Sequence, residues 1–412
     1  MNEPKLRFKK DDGSQFPDWE EKKLGDITEK VARKDENSNA DVRMISQGNG
    51  FILQSDKYSK ENAGQSLKKY TLLKRDEFAY NHGASKVKPY GVCYRLCESD
   101  EARVPYVYHT FKLIDDDSNF WNYALNTSYM DRQLKKMVSS GARMDGLLNI
   151  GYDTYMSINV HAPSLQEQHK IASLFTKLDA LIQSAEKELD GYRELKEGML
   201  QKMFPKKGEK VPEIRFPEFT GNWKQCKFGD GMDLLTGFPF ESEKFSKNGI
   251  NLIRGMNVKR GYLDLSDSLC MKWNSSEGLE KYLLENEDIL IQMDGALIGK
   301  SYAKIRNSQL PALLVQRVTR ARAIPGESDS DFMYQSIQRD FLKYIMLNKT
   351  DSAVPHLSLN DIREFPIRVP NLEEQERIGT YFRNLDNLIT SQQQELDGYK
   401  ELKKGLLQQM FC

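Results

Sequence analysis

A glycine-framed run followed by lysine and serine is the part of the sequence that comes nearest to a catalytic motif. It reads Gly295-Ala-Leu-Ile-Gly299-Lys300-Ser301. A phosphate-binding P-loop needs four residues between its glycines and a helix directly after them, so that backbone N–H groups wrap the phosphates. Only three residues separate these glycines, and Tyr302-Ala-Lys-Ile after them has the pattern of a strand. The run therefore predicts no nucleotide site, and an enzyme acting through it is the weakest interpretation.

The cysteines and histidines do not form a metal-binding pattern. Cys93 and Cys97 could lie close together, but no second pair follows at zinc-site spacing, and the five histidines are scattered. No nucleophile elbow and no glycine-rich cofactor turn is present, so we expect no catalytic, cofactor or metal site. Scattered cysteines are typical of a reducing compartment. No apolar run approaches the roughly 18 residues of a membrane span, and the N-terminus lacks a secretion signal, so we expect a cytoplasmic protein.

Small clusters of basic and aromatic residues could contact nucleic acid. Lysine and arginine bind phosphates, and arginine also hydrogen-bonds base edges in the major groove. The formal net charge is +0, so charge alone neither supports nor excludes a DNA partner, and any single cluster could equally be an ordinary charged surface. The candidate DNA-binding residues are Lys68, Lys69, Lys86, Lys88, Tyr90, Arg143, Arg254, Lys259, Arg260, Tyr262, Lys300, Tyr302 and Arg320.

More than one folded domain must position these clusters. The chain has 412 residues, of which 39% are hydrophobic and 29% charged, which predicts a globular protein of two or more domains. Short apolar runs divided by Gly, Asn, Asp and Lys indicate strands within 40–115 and 230–325. Helical patterns follow over about 120–138 and 331–347. We therefore expect domains of mixed α+β structure.

A long segment of the sequence occurs twice. Residues 163–204 and 370–411 are identical at 24 of 42 positions. Apolar residues recur in steps of three and four through both copies, which predicts two helices whose heptad seams pack on each other. Lys196 and Lys403 interrupt the seam at the same place in both copies. The expected packing residues are Ile171, Phe175, Leu178, Ile182, Leu189, Tyr192, Ile378, Phe382, Leu385, Ile389, Leu396 and Tyr399.

Identity between the copies extends to polar residues such as Glu167 and Gln168. Shared polar positions indicate a role beyond core packing, which two unrelated surface helices would not need. Gly191 and Gly398 lie in mid-pattern, where glycine costs about 1 kcal/mol relative to alanine. We expect these glycines to permit a close backbone approach or to mark a local kink.

The duplication reaches beyond the helices. Leu6-Arg7-Phe8 and Leu24-Gly25-Asp26 recur as Ile214-Arg215-Phe216 and Phe228-Gly229-Asp230. Between these marks the two halves diverge, so their scaffold is common and their surfaces differ. The predicted segments are a first mixed domain at 1–162, a first helix at 163–204, a linker at 205–217, a second mixed domain at 218–369 and a second helix at 370–412.

This organisation resembles the specificity subunit of type I restriction–modification systems over essentially the full length. Pro163-Ser-Leu-Gln-Glu-Gln-His-Lys-Ile171 and Pro370-Asn-Leu-Glu-Glu-Gln-Glu-Arg-Ile378 are similar to the family's proline–leucine–x–Glu–Gln–x–x–Ile signature. The arms that contain Trp19 and Trp223 and the strand motifs at 70–81 and 282–291 also resemble the family. The strand motifs depart from it because no glycine precedes Asp76 or Asp288.

The resemblance implies two target-recognition domains joined by two long antiparallel coiled-coil helices, with an internal pseudo-two-fold repeat. It implies a non-catalytic subunit that reads a bipartite, asymmetric site in double-stranded DNA. Two modification subunits, which are adenine methyltransferases, would bind this chain, and restriction subunits would join through them. S-adenosylmethionine, ATP and Mg are then expected on the partner subunits and no cofactor on this chain. The alternative is an assembly scaffold or adaptor without DNA, built on the same helix pair.

Overall fold

Two compact units make up the chain, and each contains part of both repeated segments. Unit 1 comprises Met1–Glu186 and Gln394–Cys412, and unit 2 comprises Lys187–Gln393. The computed structural model describes residues 4–411 except 36–37, 47, 49, 58–63, 84, 86–87, 139–147, 296–297 and 349–355. The sequence-based segments give each long helix a segment of its own, whereas the contacts assign the two ends of each helix to different units.

Unit 1 is organised around a four-stranded antiparallel sheet. Its strands are β1 (Glu20–Lys23), β2 (Thr28–Lys30), β3 (Arg43–Ser46), β4 (Gly50–Leu53), β5 (Thr71–Lys74), β6 (Phe78–Asn81), β7 (Val92–Arg95), β8 (Glu101–Val104), β9 (His109–Leu113) and β10 (Asn159–Ala162). The main sheet has the order β2-β9-β6-β7, and β3-β4, β5-β8 and β1-β10 form separate antiparallel pairs. Because β1 pairs with β10, the N-terminal arm holds the strand that leads into the first long helix.

Short helices cover the sheet of unit 1. They are α1 (Gln54–Lys57), α2 (Ser118–Ala124), α3 (Ser128–Met137) and α4 (Tyr152–Met156), and the long helix that follows is α5 (Leu165–Lys202). Asp117 caps α2 by accepting hydrogen bonds from two backbone N–H groups of its first turn. Tyr80 of the sheet stacks on Tyr155 of α4 with 4.0 Å between ring centroids. Aromatic residues therefore dominate the core between sheet and helices, as their large buried area favours.

Unit 2 repeats this plan with different strands around it. The strands are β11 (Lys224–Lys227), β12 (Met232–Thr236), β13 (Ile250–Ile253), β14 (Met271–Trp273), β15 (Ile289–Gln292), β16 (Tyr302–Lys304), β17 (Ala312–Leu314), β18 (Val318–Ala323) and β19 (Pro366–Val369). The sheets have the orders β12-β18-β15-β16 and β14-β13-β17, and β11 pairs with β19 as β1 does with β10. The helices are α6 (Ser330–Ser336), a π-helical turn (Ile337–Phe341), α7 (Leu342–Asn348), α8 (Leu359–Arg363) and α9 (Leu372–Met410).

The two repeated segments form the long helices α5 and α9, of 38 and 39 residues. At about 1.5 Å per residue each is nearly 60 Å long. Both run without interruption through Gly191 and Gly398, and a Cβ added at either glycine would meet no atom within 4 Å. The expectation of a kink or a close approach at these glycines is therefore wrong. The close approach lies elsewhere, at Gly379 in the first turns of α9.

Gly379 lies against the start of α6. A Cβ at this position would come within 2.1 Å of the Asp329 carboxylate and 3.0 Å of the Phe332 backbone nitrogen. The matching residue of α5 is Ala172, which is buried and accommodated. The repeat has thus kept a small residue at this point in both helices, and unit 2 has the tighter contact. Among the residues that the structure describes, no helix is long and apolar enough to cross a membrane.

Candidate nucleic-acid interface

A buried carboxylate near the start of each long helix anchors the chain segment that precedes the unit's first strand. Arg7 donates two hydrogen bonds to Glu167, of 3.1 and 2.8 Å, and Arg215 donates two to Glu374, of 2.8 and 2.7 Å. Both glutamates are fully buried. Paired, bidentate geometry is what makes burial of such a charge tolerable. The repeated Glu and Arg of the sequence therefore serve one structural purpose, which is to fix each arm to its helix.

The glutamine after each of these glutamates joins the long helix to the recognition domain. Gln168 accepts a hydrogen bond from the Asp117 backbone at the start of α2, and its amide donates to the Pro163 carbonyl. Gln375 makes the same two contacts, with Asp329 at the start of α6 and with Pro370. Each long helix is thus attached to one short helix of its own unit through identical residues.

The lysines that interrupt the heptad seam are explained by ion pairs. In unit 1 Lys403 binds Asp179, and in unit 2 Lys196 binds Asp386 at 2.6 Å. The two pairs occupy matching positions of the repeat. Within unit 1, Lys400 also pairs with Glu186. As residue numbers increase along α5, the numbers of the residues that they contact on α9 therefore decrease. The two helix segments of unit 1 are therefore antiparallel.

Unit 2 has the same arrangement. Arg193 donates to Gln393, three residues before Lys196 reaches Asp386, so the segments of α5 and α9 in this unit also run antiparallel. Each segment ends in a phenylalanine that packs on its partner helix, Phe411 on Phe175 in unit 1 and Phe204 on Phe382 in unit 2. The nearly identical final residues of the two copies therefore each complete the core of a unit.

The predicted packing residues are distributed along these segments. Eight of the twelve are buried, and they are Ile171, Phe175, Leu178, Leu189, Ile378, Phe382, Leu385 and Leu396. The other four are partly exposed, and they are Ile182, Tyr192, Ile389 and Tyr399. Burial is deepest toward the recognition domains, where the short helices add to the contact.

One edge of the main sheet gathers several of the predicted DNA-binding residues in unit 1. Lys88 and Tyr90 follow the end of β6, and the Leu148 backbone N–H donates to the carbonyl of His82 at that same end. Leu148 is therefore held at the end of the strand that Lys88 and Tyr90 follow. Unit 2 repeats the connection, since Leu357 donates to the carbonyl of Met293 just after β15.

The predicted residues differ in how available they are. Lys68, Lys69, Arg260, Tyr262 and Lys300 are exposed, and Lys88, Tyr90, Arg254 and Lys259 are partly exposed. Lys86 and Arg143 lie outside the described residues. A turn brings Lys259, Arg260 and Tyr262 beside β16, because the Gly261 N–H donates to the Tyr302 carbonyl. An exposed basic and aromatic patch therefore exists in unit 2 as well.

Tyr302 and Arg320 do not belong to such a surface. The sequence predicts DNA contacts for both, but Tyr302 is 5% exposed and packs on Tyr334, and Arg320 is 6% exposed and binds Asp233. Burial raises the pKa of the Tyr302 hydroxyl. Neither side chain is available to DNA in this conformation, because strand pairing turns both toward the protein.

In the strand motif before β6 and β15, the structure places the residues of the two units in a different correspondence from the one that the sequence suggested. The buried carboxylates are Glu77 and Asp288, and the residues before them, Asp76 and Glu287, have φ angles of 69° and 74°. Asp76 and Glu287 thus hold the left-handed position that glycine adopts most easily. Asp76 therefore matches Glu287, and Glu77 matches Asp288.

Two arginines outside the set of candidate DNA-binding residues hold these two carboxylates. Arg33 donates to both oxygens of Glu77, at 3.1 and 3.0 Å, and Arg322 donates to both oxygens of Asp288, at 2.7 Å each. The hydrogen bonds to these carboxylates raise the pKa of both guanidinium groups. Because one arginine follows β2 and the other lies in β18, no fixed spacing in the sequence could have paired them.

The glycine-framed run at 295–301 leads into β16, as the sequence predicted, so the helix that a P-loop requires is absent from the described residues there. The described residues also contain no group of three or more His, Cys, Asp and Glu placed to hold a metal ion. The polar clusters described above are instead arginine–carboxylate and lysine–carboxylate pairs that join elements of each unit. The residues of the two units that remain available to a ligand are therefore the exposed basic and aromatic ones.

The chain is thus an internally duplicated protein in which a common polar framework supports two unlike basic surfaces. Comparisons agree with it. The family model described as "Type I restriction modification DNA specificity domain" matches residues 221–398. The chain is 25% identical to the type I restriction enzyme MjaVIII specificity subunit of Methanocaldococcus jannaschii over 72% of this chain and 69% of that protein. It is 29% identical to the EcoAI specificity subunit of Escherichia coli over 47% of this chain and 33% of that protein.

A solved structure extends the likeness of the fold to the whole chain. The S subunit of a type I restriction–modification system from M. genitalium superimposes with a TM-score of 0.66 at 15% identity, covering 100% of this chain and 99% of that one. The family match therefore places a type I restriction modification DNA specificity domain at residues 221–398, and the chain is similar beyond it to specificity subunits of type I restriction–modification systems. Specificity subunits are the non-catalytic component of these systems, which confirms the prediction of a non-enzymatic chain.

Proposed function

We propose that this chain reads a bipartite, asymmetric site in double-stranded DNA, one half with each unit. The observation that carries the proposal is the combination of a matched framework with unlike surfaces. Glu167 and Glu374, and the two lysine–aspartate pairs, occupy equivalent places. Two recognition domains that are attached to the long helices in the same way but have different surfaces are suited to two different half-sites. The reason is that base recognition depends on the individual side chains presented to the groove.

The proposed reading surfaces lie at the sheet edges described above. In unit 1 the surface comprises Lys88 and Tyr90, and the candidates Lys86 and Arg143 lie outside the described residues. In unit 2 it comprises Lys259, Arg260, Tyr262 and Lys300. Exposed lysines would hold phosphates, while arginine and tyrosine would contact bases and sugars.

Two modification subunits would dock on the long helices. Exposed leucines support this, because they recur at matching positions. Leu181 and Leu402 in unit 1 are 47% and 52% exposed, and Leu388 and Leu195 in unit 2 are 49% and 47% exposed. Each leucine directly precedes a seam position, and the antiparallel pairing puts the two of each unit at the same level. Equivalent apolar positions offer equivalent contacts to two identical partners.

The chemistry of the system would reside on those partners. Modification subunits would carry S-adenosylmethionine and methylate adenine, and restriction subunits would join the complex and supply the ATP- and Mg-dependent steps. The role of this chain is to bind, orient and hold the spacing of the DNA. Its own residues would take part in no bond-making step.

Mapping methylated adenines tests the DNA-reading proposal. The full chain is expressed with its modification subunits, and methylation is mapped over a whole genome with and without it. We expect methylation only with the chain present, at one motif made of two unlike halves and a spacer. A palindromic motif, or methylation independent of the chain, would contradict the proposal, and an adaptor would give no sequence preference in mobility-shift assays with the partners present.

Substituting the exposed leucines tests the docking proposal. Leu181→Glu with Leu402→Glu should give a complex with one modification subunit instead of two, measured by native mass spectrometry. Leu195→Glu with Leu388→Glu should also lose one, and the quadruple variant should lose both. Ala180→Glu and Asn387→Glu, at exposed and matching neighbouring positions, serve as controls. Two bound partners in every variant would refute this docking surface.

A further inference from the structure

A basic and aromatic cleft in unit 1 lies apart from the sheet edge that carries most of the predicted DNA contacts. It has a volume of about 360 Å³ and lies between the end of β2, the turn before β9 and the start of α4. Three lysines line it, Lys30, Lys34 and Lys69, together with Tyr106 and Tyr152. Among the described residues that line the cleft there is no aspartate or glutamate. A cleft with three cations and no anion of its own is suited to an anionic ligand.

The three lysines differ from other lysines of unit 1 in their partners. Lys22 pairs with Glu20, Lys112 with Glu29 and Lys170 with Asp11. Lys30, Lys34 and Lys69 are exposed, and none of them forms an ion pair within the part of the chain that the structure describes. Among the described residues their charges therefore have no carboxylate partner, which favours an anionic ligand in the cleft.

The aromatic residues hold two of these lysines at the cleft. Lys30 Nζ lies 4.5 Å from the centroid of the Tyr152 ring, and Lys69 Nζ lies 6.0 Å from that of Tyr106. Cation–π contacts of this kind position an ammonium group while leaving its N–H donors for a ligand. Tyr106 is 56% exposed, so its ring also presents an open face at the rim.

The cleft is fixed to the segment that returns to the sheet edge. His109 Nε2 lies 2.8 Å from the Ile150 carbonyl, and Tyr152 follows two residues later at the start of α4. Leu148, in the same short stretch, binds the carbonyl of His82 at the end of β6. The cleft and the candidate reading edge are therefore joined by residues 148–152, and a ligand that extends past one could reach the other.

We propose that this cleft binds the phosphate backbone of the DNA that unit 1 reads, with a sugar or base lying against Tyr106. The proposal rests on the proposed DNA-reading function and adds to it a contact that positions the duplex without reading its sequence. Lysine ammonium groups bind phosphates as point charges, and aromatic faces accept nucleotide rings whatever the base.

Salt dependence of DNA binding tests the cleft. The triple variant Lys30→Gln/Lys34→Gln/Lys69→Gln is compared, in complex with the modification subunits, by fluorescence anisotropy on the methylated-motif duplex and on a scrambled duplex. Losing three phosphate contacts should reduce the slope of log K against log salt by about 2 to 3. Affinity should fall by roughly tenfold or more on both duplexes, and the ratio between them should be unchanged.

A matched triple variant controls for the change of charge. Lys22→Gln/Lys112→Gln/Lys170→Gln removes the same three charges from lysines that already have carboxylate partners, and it should change the slope by less than 1. Tyr106→Ala should weaken both duplexes equally without altering the slope. Circular dichroism confirms that each variant is folded, which is expected since the substituted side chains are exposed or partly exposed.

The outcomes distinguish failure of the cleft proposal from failure of the proposed DNA-reading function. If the unaltered complex shows no preference between the duplexes, the proposed DNA-reading function fails. If it shows the preference and the cleft variant keeps the unaltered slope and affinity, the cleft proposal alone is overturned. Titration with AMP as a free-nucleotide probe provides a second arm. AMP binding that is lost in the cleft variant, with DNA binding unaffected, would identify a small-nucleotide site and also overturn the proposal.

Discussion

Units 1 and 2 perform the same structural tasks, but only some of these tasks use the same residues. The arm, the long helix and the seam are held by Arg–Glu and Lys–Asp pairs that match position by position. Around the seam pair the neighbours differ, since Tyr123 donates to Asp179 in unit 1 and Gln335 donates to Asp386 in unit 2. Burial, followed by Asp179, raises the pKa of the Tyr123 hydroxyl.

This difference shows which residues must be the same in the two units. Residues that join one part of the framework to another are duplicated, because both units must present the same helix surfaces. The residues by which each recognition domain contacts the seam aspartate differ, because the domain needs only to supply a hydrogen-bond donor to that aspartate.

Removing the arginine of an arm should affect unit 2 more than unit 1. Arg215→Ala leaves Glu374 buried without a cation, which costs about 3–5 kcal/mol. Arg7→Ala should cost about 1–2 kcal/mol less, because Trp19 Nε1 still donates to Glu167 at 3.2 Å. Hydrogen exchange read by mass spectrometry gives the opening free energy of each unit separately. Equal losses in both units would show that Trp19 does not support the buried charge.

Adding a methyl group at Gly379 should destabilise unit 2. The Gly379→Ala Cβ would collide with Asp329 and the backbone of Phe332, so α6 must shift, at about 1–3 kcal/mol. The reverse change in unit 1, Ala172→Gly, removes only a buried methyl and helix propensity. It should cost no more than about 1–2 kcal/mol. Thermal unfolding of the two variants checks the order, and a stabilised Gly379→Ala variant would contradict the close approach.

Replacing the two equivalent tryptophans should have unequal effects. Trp19→Phe removes the hydrogen bond to Glu167, which contributes about 1.5–3 kcal/mol because the acceptor is charged. The buried Trp223 Nε1 has no hydrogen-bond partner among the described residues, so Trp223→Phe should change stability by less than about 1 kcal/mol. Urea unfolding followed by hydrogen exchange in each unit measures both. A larger loss for Trp223→Phe would reverse the comparison.

The glycines in the middle of the long helices should be replaceable. Gly191→Ala and Gly398→Ala each gain up to about 1 kcal/mol of helix propensity, because the new Cβ meets open space. The gain should be equal in the two helices, since both positions are exposed. Calorimetry on the two single variants and the double variant tests this. A loss of stability would show that the glycines have a role that their surroundings do not reveal.

The smallest effect concerns acid stability, which should differ between the units. Burial lowers the pKa of His109 in unit 1, with His82 and Lys30 nearby adding to the effect. The unfolded chain binds a proton below about pH 6.5, whereas the folded unit resists it, so stability is present above that pH and is lost as the pH falls. The loss is at most about 1.4 kcal/mol per pH unit. His109→Gln should flatten this dependence in unit 1 and leave unit 2 unchanged.

Much of the candidate framework could be predicted from the sequence, and much of the surface could not. The repeated Glu-Gln pairs and seam lysines are visible because duplication marks them. The partners of the lysines, Asp179 and Asp386, were equally visible as matching acids but were not singled out. Tyr302 and Arg320 were misjudged because composition cannot tell which side of a strand faces the solvent. Lys30 and Lys34 were missed because they lie far in sequence from Lys69 and Tyr106.

The two long helices, their length, the repeat of the arms and the strand after the glycine-framed run could all be predicted from the amino-acid pattern. These features depend on the spacing of residues that are close in sequence. Contacts in the folded structure were needed to show which end of each helix belongs to which unit, that the close approach lies at Gly379 rather than at Gly191 and Gly398, and which of the described lysines lack a carboxylate partner. Those outcomes depend on contacts between distant residues, where burial and charge pairing select one arrangement among many that the sequence pattern allows.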